Sequence, residues 1–309
     1  MTDTLERPGN SASDAQNSDE HVPAHRSSGT SPTPAARPVS EFSTIPEMVD
    51  RVAAGALEKA SHPLSHFVRS LIGGVFVAFG VLLSLTVATG VSTPGLESLV
   101  MGLAFGMSFV LILVSGVSLI TADMAAGLIL LLRRQIGVGA YGRFLGLGLV
   151  GNLLGTLFFV TVAALAGGPY LAKPFTEQAL KVGVAKSGEG TFSAILLAVL
   201  CTWFLQTAMF MFFKARNEGT RMAFAFYGPF AFVVGGTQHV IANIGFIGFP
   251  WLLHAFHPDA APATPITWDF GDHGMLRNLA TTTLGNFIGG ALLVALPFYI
   301  VSRLMQRER

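Results

Sequence analysis

The chain has 309 residues, of which 51% are hydrophobic and only 12% charged, with a formal net charge of +1 and a mean hydropathy of +0.58. An average soluble domain carries about 25% charged residues, so this composition belongs to a protein dissolved in a lipid bilayer, and the near-neutral balance argues against a nucleic-acid partner, which needs a strongly basic face. The single cysteine, Cys201, lies in an apolar segment and excludes both a disulfide framework and a thiolate metal centre.

Residues 1–45 are rich in Ser, Thr, Pro, Asp and His and nearly free of large apolar side chains. Such a segment has too little apolar surface to offset its chain entropy, which predicts a disordered tail. It has no apolar run of signal-peptide type, and His21 and His25 are read as solvated rather than metal-bound. Residues 46–309 form the second unit. Six stretches there are long enough for a hydrocarbon core that takes roughly 20 apolar residues: Phe67 to Thr89, Leu96 to Leu132, Phe144 to Ala166, Phe192 to Phe213, Met222 to His254 and Leu279 to Val301. The fold class expected is an all-α polytopic membrane protein with six transmembrane helices.

The second and fifth stretches are too long for one crossing, and each carries a polar, Gly-containing interruption, at Ser115 to Asp123 and at Gly235 to Asn243. Broken helices at matching places in two halves point to a transport site. Gly151-Asn152-Leu153-Leu154-Gly155 in the third stretch is echoed by Gly285-Asn286-Phe287-Ile288-Gly289 in the sixth. Small residues four apart let helices approach, and a membrane asparagine can bond backbone groups freed where its neighbour unwinds. The third and sixth helices are therefore expected to brace the broken ones. Three spans per half require repeats of opposite orientation. Arg133, Arg134 and Arg143, then Lys214, Arg216 and Arg221, then Arg303, Arg307 and Arg309 mark the connections on one side, which the positive-inside rule makes cytoplasmic, with both termini there, in a cytoplasmic (inner) membrane. Lys173, Lys181 and Lys186 run against that count.

The broken second and fifth helices, the paired G-N-x-x-G, the segment Gly236-Thr237-Gln238-His239-Val240-Ile241-Ala242-Asn243 and the approach from Ala54-Gly55 to His62-Pro63-Leu64 together resemble the formate/nitrite transporter family, over about Pro46 to Arg303. The resemblance implies an aquaporin-like protomer, a homopentamer, a separate pore in each protomer, and small monovalent anions or their neutral acids as substrates, with no cofactor. Position by position it makes His239 the central pore histidine and Thr121 the threonine of the loop that breaks the second helix. It places Phe109 and Phe232 at the cytoplasmic narrowing, Leu119 and Leu205 beyond the histidine, Asn243 among the pore-lining residues, Gln238 in support of the second loop, and Asn152 and Asn286 as braces. Lys186 falls near the family's outer-vestibule lysine, where it either draws anions or snorkels at a helix end.

Departures stand beside the matches. Ser118 precedes Leu119-Ile120-Thr121 where the family carries an acidic residue, Gln238 replaces a glutamate, Thr202 an asparagine, and Phe109 a leucine. Two carboxylates are thus missing near the pore loops. Asp123, two positions after Thr121, is read as an N-cap of the continuing half-helix or as a proton-relay site.

An anion entering a dry phenylalanine ring faces a dehydration cost of many kcal/mol, whereas its neutral acid crosses easily. An imidazole, with an ordinary pKa near ~6.5, can hand over a proton or a strong hydrogen bond, so His239 is expected to exchange protons with the substrate, Thr121 adding a second donor. An intramembrane enzyme needs a second reactive group at membrane depth, and the spans offer one histidine without a neighbouring ligand. His254 and His257 are read as solvated rather than as a metal site. An aquaporin-like neutral-solute channel and a non-conducting membrane scaffold remain as alternatives.

Overall fold

The computed structural model describes residues 40–308; residues 1–39 of the expected tail, with His21 and His25, lie outside the described residues. The first element, α1 (Ile45–Ser61), is amphipathic. Thr44 and Glu47 form a reciprocal capping box at its start, and Met48, Val49, Val52, Ala53 and Ala56 share a buried face. The hydrogen bond from the Thr44 N–H holds the exposed Glu47 carboxyl below its usual range. No sequence expectation covers this helix, because its apolar stripe is too narrow to read as a span.

The crossings follow in the order expected. The first is α2 (Pro63–Ala88), the second splits into α3 (Pro94–Ser115) and α4 (Ile120–Leu132), and the third is α5 (Val138–Ala166). After a single 3-10 turn at Gly168–Leu171 comes α6 (Lys173–Ser187), then the fourth crossing α7 (Thr191–Lys214). The fifth splits into α8 (Glu218–Val234) and α9 (Val240–Phe256). The sixth is continuous from Met275 to Arg307 but changes pitch: α10 (Met275–Phe287), a π-helical stretch at Ile288–Ala295, and α11 (Leu296–Arg307). Neither α6 nor the π stretch is legible in the sequence.

Both breaks are made by a left-handed glycine. Gly116 (φ 70°) ends α3 and Gly236 (φ 65°) lies just past the end of α8, conformations that side chains with a Cβ adopt only at a cost. The chain then re-enters a helix at mid-molecule, so that α4 and α9 are half-helices of 13 and 17 residues. α2 packs most extensively on α5, and α3 on α8. A Cβ at Gly155 would collide with the Leu71 carbonyl, and one at Gly289 with that of Val199, so the G-N-x-x-G glycines permit backbone contact.

Two faces can be named. One carries α1, the ends of α4 and α7, and α11: α1 packs on α11, Arg133 pairs with Asp50 at 2.7 Å, and the Ser43 N–H bonds the Lys214 carbonyl at 2.8 Å. The opposite face carries α6, which packs on α9 and reaches the start of α3 through Gln178–Glu97 at 2.7 Å. These are called the terminus face and the α6 face.

Candidate functional site: a plugged passage between two cavities

The two loops are built alike. Asn152 accepts the Ile120 N–H at 2.7 Å and donates to the carbonyls of Ser118 (2.9 Å) and Ser70 (2.6 Å). Asn286 accepts the Val240 N–H at 2.9 Å and donates to those of Gln238 (3.0 Å) and Ala198 (2.9 Å). Each asparagine thus satisfies two backbone groups that the break has freed and ties them to a carbonyl of a neighbouring continuous helix, Ser70 in α2 or Ala198 in α7. In this pairing Ser118 corresponds to Gln238, Leu119 to His239 and Asp123 to Asn243. Thr202 bonds the Asn286 carbonyl at 2.9 Å and so secures the second brace.

His239 is the N-cap of α9: its Nδ1 accepts the Ala242 N–H at 3.2 Å. An accepting Nδ1 puts the neutral ring's proton on Nε2, which lies 3.2 Å from Thr121 Oγ1. One residue from each half therefore meets at the centre. Phe232 stacks on the imidazole, centroids 5.3 Å apart, and Phe105 meets Phe232 edge-on at 5.1 Å.

This corrects the expected grouping of constrictions. Phe232 is paired with Phe105 rather than Phe109, and it lines the cavity on the α6 face, not the expected terminus side. The reason is direction: α8 starts near the terminus face and carries Phe232 through 14 residues toward the α6 face before the chain turns back. On α3, Met101, Phe105, Phe109 and Ile112 lie on one stripe; Met101 lines the α6-face cavity and Ile112 the terminus-face cavity. Phe109 is thus about one turn closer to the terminus face than Phe105. Leu119 borders the terminus-face cavity, and Leu205 sits one turn before Met209, which also borders it.

The α6-face cavity holds about 390 Å³ and is lined by Lys186, Lys181, Glu97, Glu189 and Gln238 beside Phe232. The terminus-face cavity holds about 280 Å³, with Lys59, Arg69 and Glu58 around Leu119. Between them Phe105, Phe232, His239, Thr121 and Leu119 are each at most 3% exposed.

The charged groups differ from the expectation. Asp123 does not cap α4. Its oxygens lie 2.5 Å from Lys59 Nζ and 2.5 Å from Ser118 Oγ, and Leu119 is the N-cap residue. One of the two carboxylates missing from the loops is therefore supplied from five residues further along. His66 Nε2 stands 3.9 Å from the same carboxylate and 2.9 Å from the Phe144 carbonyl, wholly buried. The spans accordingly hold a second buried histidine, which lies one residue outside the apolar stretch read from the sequence. In the other half Asn243 donates to Gln238 (2.5 Å) and Asn278 (2.8 Å), so it supports the loop rather than lining the cavity.

Lys186 does not snorkel. Its ammonium donates to the Thr237 carbonyl at 3.0 Å and lies 5.4 Å over the Phe246 ring, where burial pushes its pKa down to about 8. His254 and His257 bond the carbonyls of Ala261 (3.1 Å) and Ala164 (2.9 Å) rather than standing free in solvent. Among the described residues no group of three metal-ligating side chains comes together. Sequence reasoning misses Lys59 and His66 because their partners lie more than 60 residues away, at distances no local pattern encodes.

Comparison with known proteins gives this arrangement a context. The family model described as formate/nitrite transporter matches residues 46–300. A transporter of Bacillus subtilis named YrhG is 28% identical over 84% of this chain and 95% of its own length. The nitrite transporter NirC of Salmonella typhimurium is 27% identical over 85% and 93%, and the formate channel FocA of Escherichia coli 28% over 83% and 94%. A solved ion channel of the same family superposes with a TM-score of 0.72 at 25% identity, over 82% of this chain and 98% of that one. A pentameric formate channel with formate bound shares the fold with a TM-score of 0.68 at 21% identity, over 78% and 98%. With its paired broken helices, its asparagine braces and a match from residue 46 to residue 300, the chain belongs to the formate/nitrite transporter family, and is a multi-pass membrane channel or transporter rather than an enzyme.

Proposed function

We propose that this protein passes small monovalent weak acids, formate or nitrite foremost, and that the substrate exchanges a proton at His239 while it crosses the plug. The observation that carries the reading is the Thr121–His239 contact at 3.2 Å, closed off by Phe232 and lying between two cavities that each hold a lysine. A charged solute loses its water on entering the aromatic layer, and the cost is prohibitive for a bare anion. Lys186 first concentrates anions at the α6 mouth. At the plug the Nε2–H and the Thr121 hydroxyl provide two donors for an arriving oxygen; a second proton, taken from the water of the mouth, goes to Nδ1, which releases the Ala242 N–H, and the imidazolium then gives its Nε2 proton to the substrate, so that solute and ring both end neutral. The nearness of the anion favours the charged ring, which ties protonation to occupancy.

In this reading the protein works as a homopentamer with five separate passages, in a cytoplasmic membrane with both termini inside. Support comes from the basic connections at the terminus face and from the likeness in fold to a formate channel that is itself pentameric.

The test is flux into proteoliposomes holding a pH dye, with formate, nitrite, glycerol and water supplied in turn. Formate and nitrite should enter with acidification of the lumen, faster when the outside is the more acidic, and glycerol should not enter. His239→Asn should abolish the pH coupling. Unchanged flux and unchanged coupling in that variant would overturn the mechanism, and glycerol flux insensitive to pH would replace it with a neutral-solute channel.

A further inference from the structure

At the terminus face, away from both cavities of the passage, three arginines converge on a separate pocket of about 330 Å³ lined by Arg133, Arg134, Arg303, Asp50, Tyr299 and Leu132. One carboxylate faces three guanidiniums. Asp50 pairs with Arg133 at 2.7 Å, and Arg134 and Arg303 form no ion pair among the described residues.

The backbone at Arg134 is the second observation. The Arg134 N–H bonds the Leu131 carbonyl at 3.0 Å and the Gln135 N–H bonds the Leu130 carbonyl at 2.9 Å, which closes α4 with the helix-ending motif that usually places glycine in the left-handed position. Arg134 occupies that position, with φ 57°, and is the one residue other than glycine with positive φ among the described residues. An internal comparison shows what the motif ordinarily takes. α8 ends in the same pair of bonds, Gly236 to Val233 at 3.0 Å and Thr237 to Phe232 at 3.2 Å, and there the left-handed residue is glycine. A long, charged side chain held where glycine fits best is backbone strain at a candidate ligand site.

The surroundings say where the ligand comes from. Leu132, 37% exposed, is the last residue of membrane half-helix α4 and lies directly before the arginines. On α11, Leu296, Tyr299 and Arg303 recur at helical spacing on one face, passing from apolar to aromatic to cationic along the axis. Tyr299 donates to the Leu132 carbonyl at 3.4 Å, so the two helices meet at this level. An exposed leucine at the end of a membrane half-helix, set against a cluster of guanidiniums, suits a phosphate that is tethered to acyl chains.

We propose that Arg133, Arg134 and Arg303 bind the phosphodiester headgroup of an anionic phospholipid in the leaflet that meets the terminus face. Guanidiniums hold phosphate oxygens two at a time, and Asp50 fixes Arg133 for that contact. Basic pockets between transmembrane helices are a recognised form of lipid site.

The experiment is native mass spectrometry of the full-length protein in detergent with phosphatidylglycerol or phosphatidylcholine added. Phosphatidylglycerol adducts should fall roughly fivefold for each arginine removed in Arg134→Gly and Arg303→Gln, with no change in phosphatidylcholine adducts. Arg134→Gly relieves the left-handed strain, so its melting temperature should equal or exceed that of the parent, and a loss of lipid in that variant is not a loss of fold. Equal retention of the two lipids, or undiminished phosphatidylglycerol binding in both variants, would overturn the proposal. Displacement of the lipid by millimolar inorganic phosphate would also overturn it, in favour of a soluble anion.

Discussion

His239 has two tasks that fall on different ring nitrogens: Nδ1 caps α9 and Nε2 faces Thr121. Asparagine is among the best N-cap residues, whereas an aromatic ring without an acceptor forfeits about 1 kcal/mol at such a position. His239→Asn is therefore expected to melt within a degree or two of the parent while losing coupled flux, and His239→Phe to lose both stability and flux. Thermal melts beside the vesicle assay separate the two effects. Asp123 and Lys59 are held to a harder standard, because removing one partner of a buried pair costs about 3–5 kcal/mol. Asp123→Ala should lower the melting temperature sharply. Asp123→Asn should do so less, since Asn243 shows that this amide fits the equivalent place in the other half. Lys186 supplies a pH dependence with a definite sign. A lysine is charged below its pKa, so attraction of anions at the α6 mouth is present at neutral pH and lost as that side is titrated up through about 8. Lys186→Arg should extend anion entry to higher pH and Lys186→Met should weaken it throughout, measured as initial rate against external pH at constant substrate anion.

The braces are where elements depend on single residues. Asn286→Leu leaves the Val240 N–H and the Gln238 carbonyl without their partner, whereas the Ala198 carbonyl keeps the Thr202 hydroxyl. Each unsatisfied buried group costs about 1–3 kcal/mol, so the variant should be poorly assembled and should conduct nothing, as read by size-exclusion yield and flux; Asn152→Leu should do the same to the first loop. These elements are legible in the sequence because their causes are local. Apolar length marks the crossings, Gly116 and Gly236 mark the breaks, and the repeated G-N-x-x-G marks the braces and the two-fold relation. Local pattern is silent on α6, whose burial comes from α9. It is equally silent on the π stretch of the last crossing and on which ring meets which: Phe105 and Phe109 are one turn apart and equally apolar, and only the run of α8 decides that Phe232 stands against the former. Asp123 misleads for the same reason, because a carboxylate near a helix start suggests a cap until a lysine from α1 is seen to reach it.

At the scale of the whole molecule the two halves are alike in backbone and unlike in charge. Lys59 and Arg69 are paired with Asp123 and Glu58 at the terminus mouth. At the α6 mouth Lys181 is paired with Glu97, while Lys186 meets only a carbonyl and Glu189 stays outside ion-pair distance. Salt screens the attraction between a charge at the mouth and a solute still in solvent, so on the proposed role of Lys186 anion entry from the α6 face should slow more steeply with ionic strength than entry from the terminus face. Initial rates in vesicles of known protein orientation check this, and equal salt slopes would refute it. The interior plug has a consequence for the host cell. Hydronium travels along unbroken files of water, and a layer of phenylalanine, leucine and a capped imidazole, each at most 3% exposed, offers no such file. On the proposed mechanism bare protons find no leak and cross only with a solute molecule, so an idle protein would leave the proton-motive force intact and a working one would draw on it only as substrate passes.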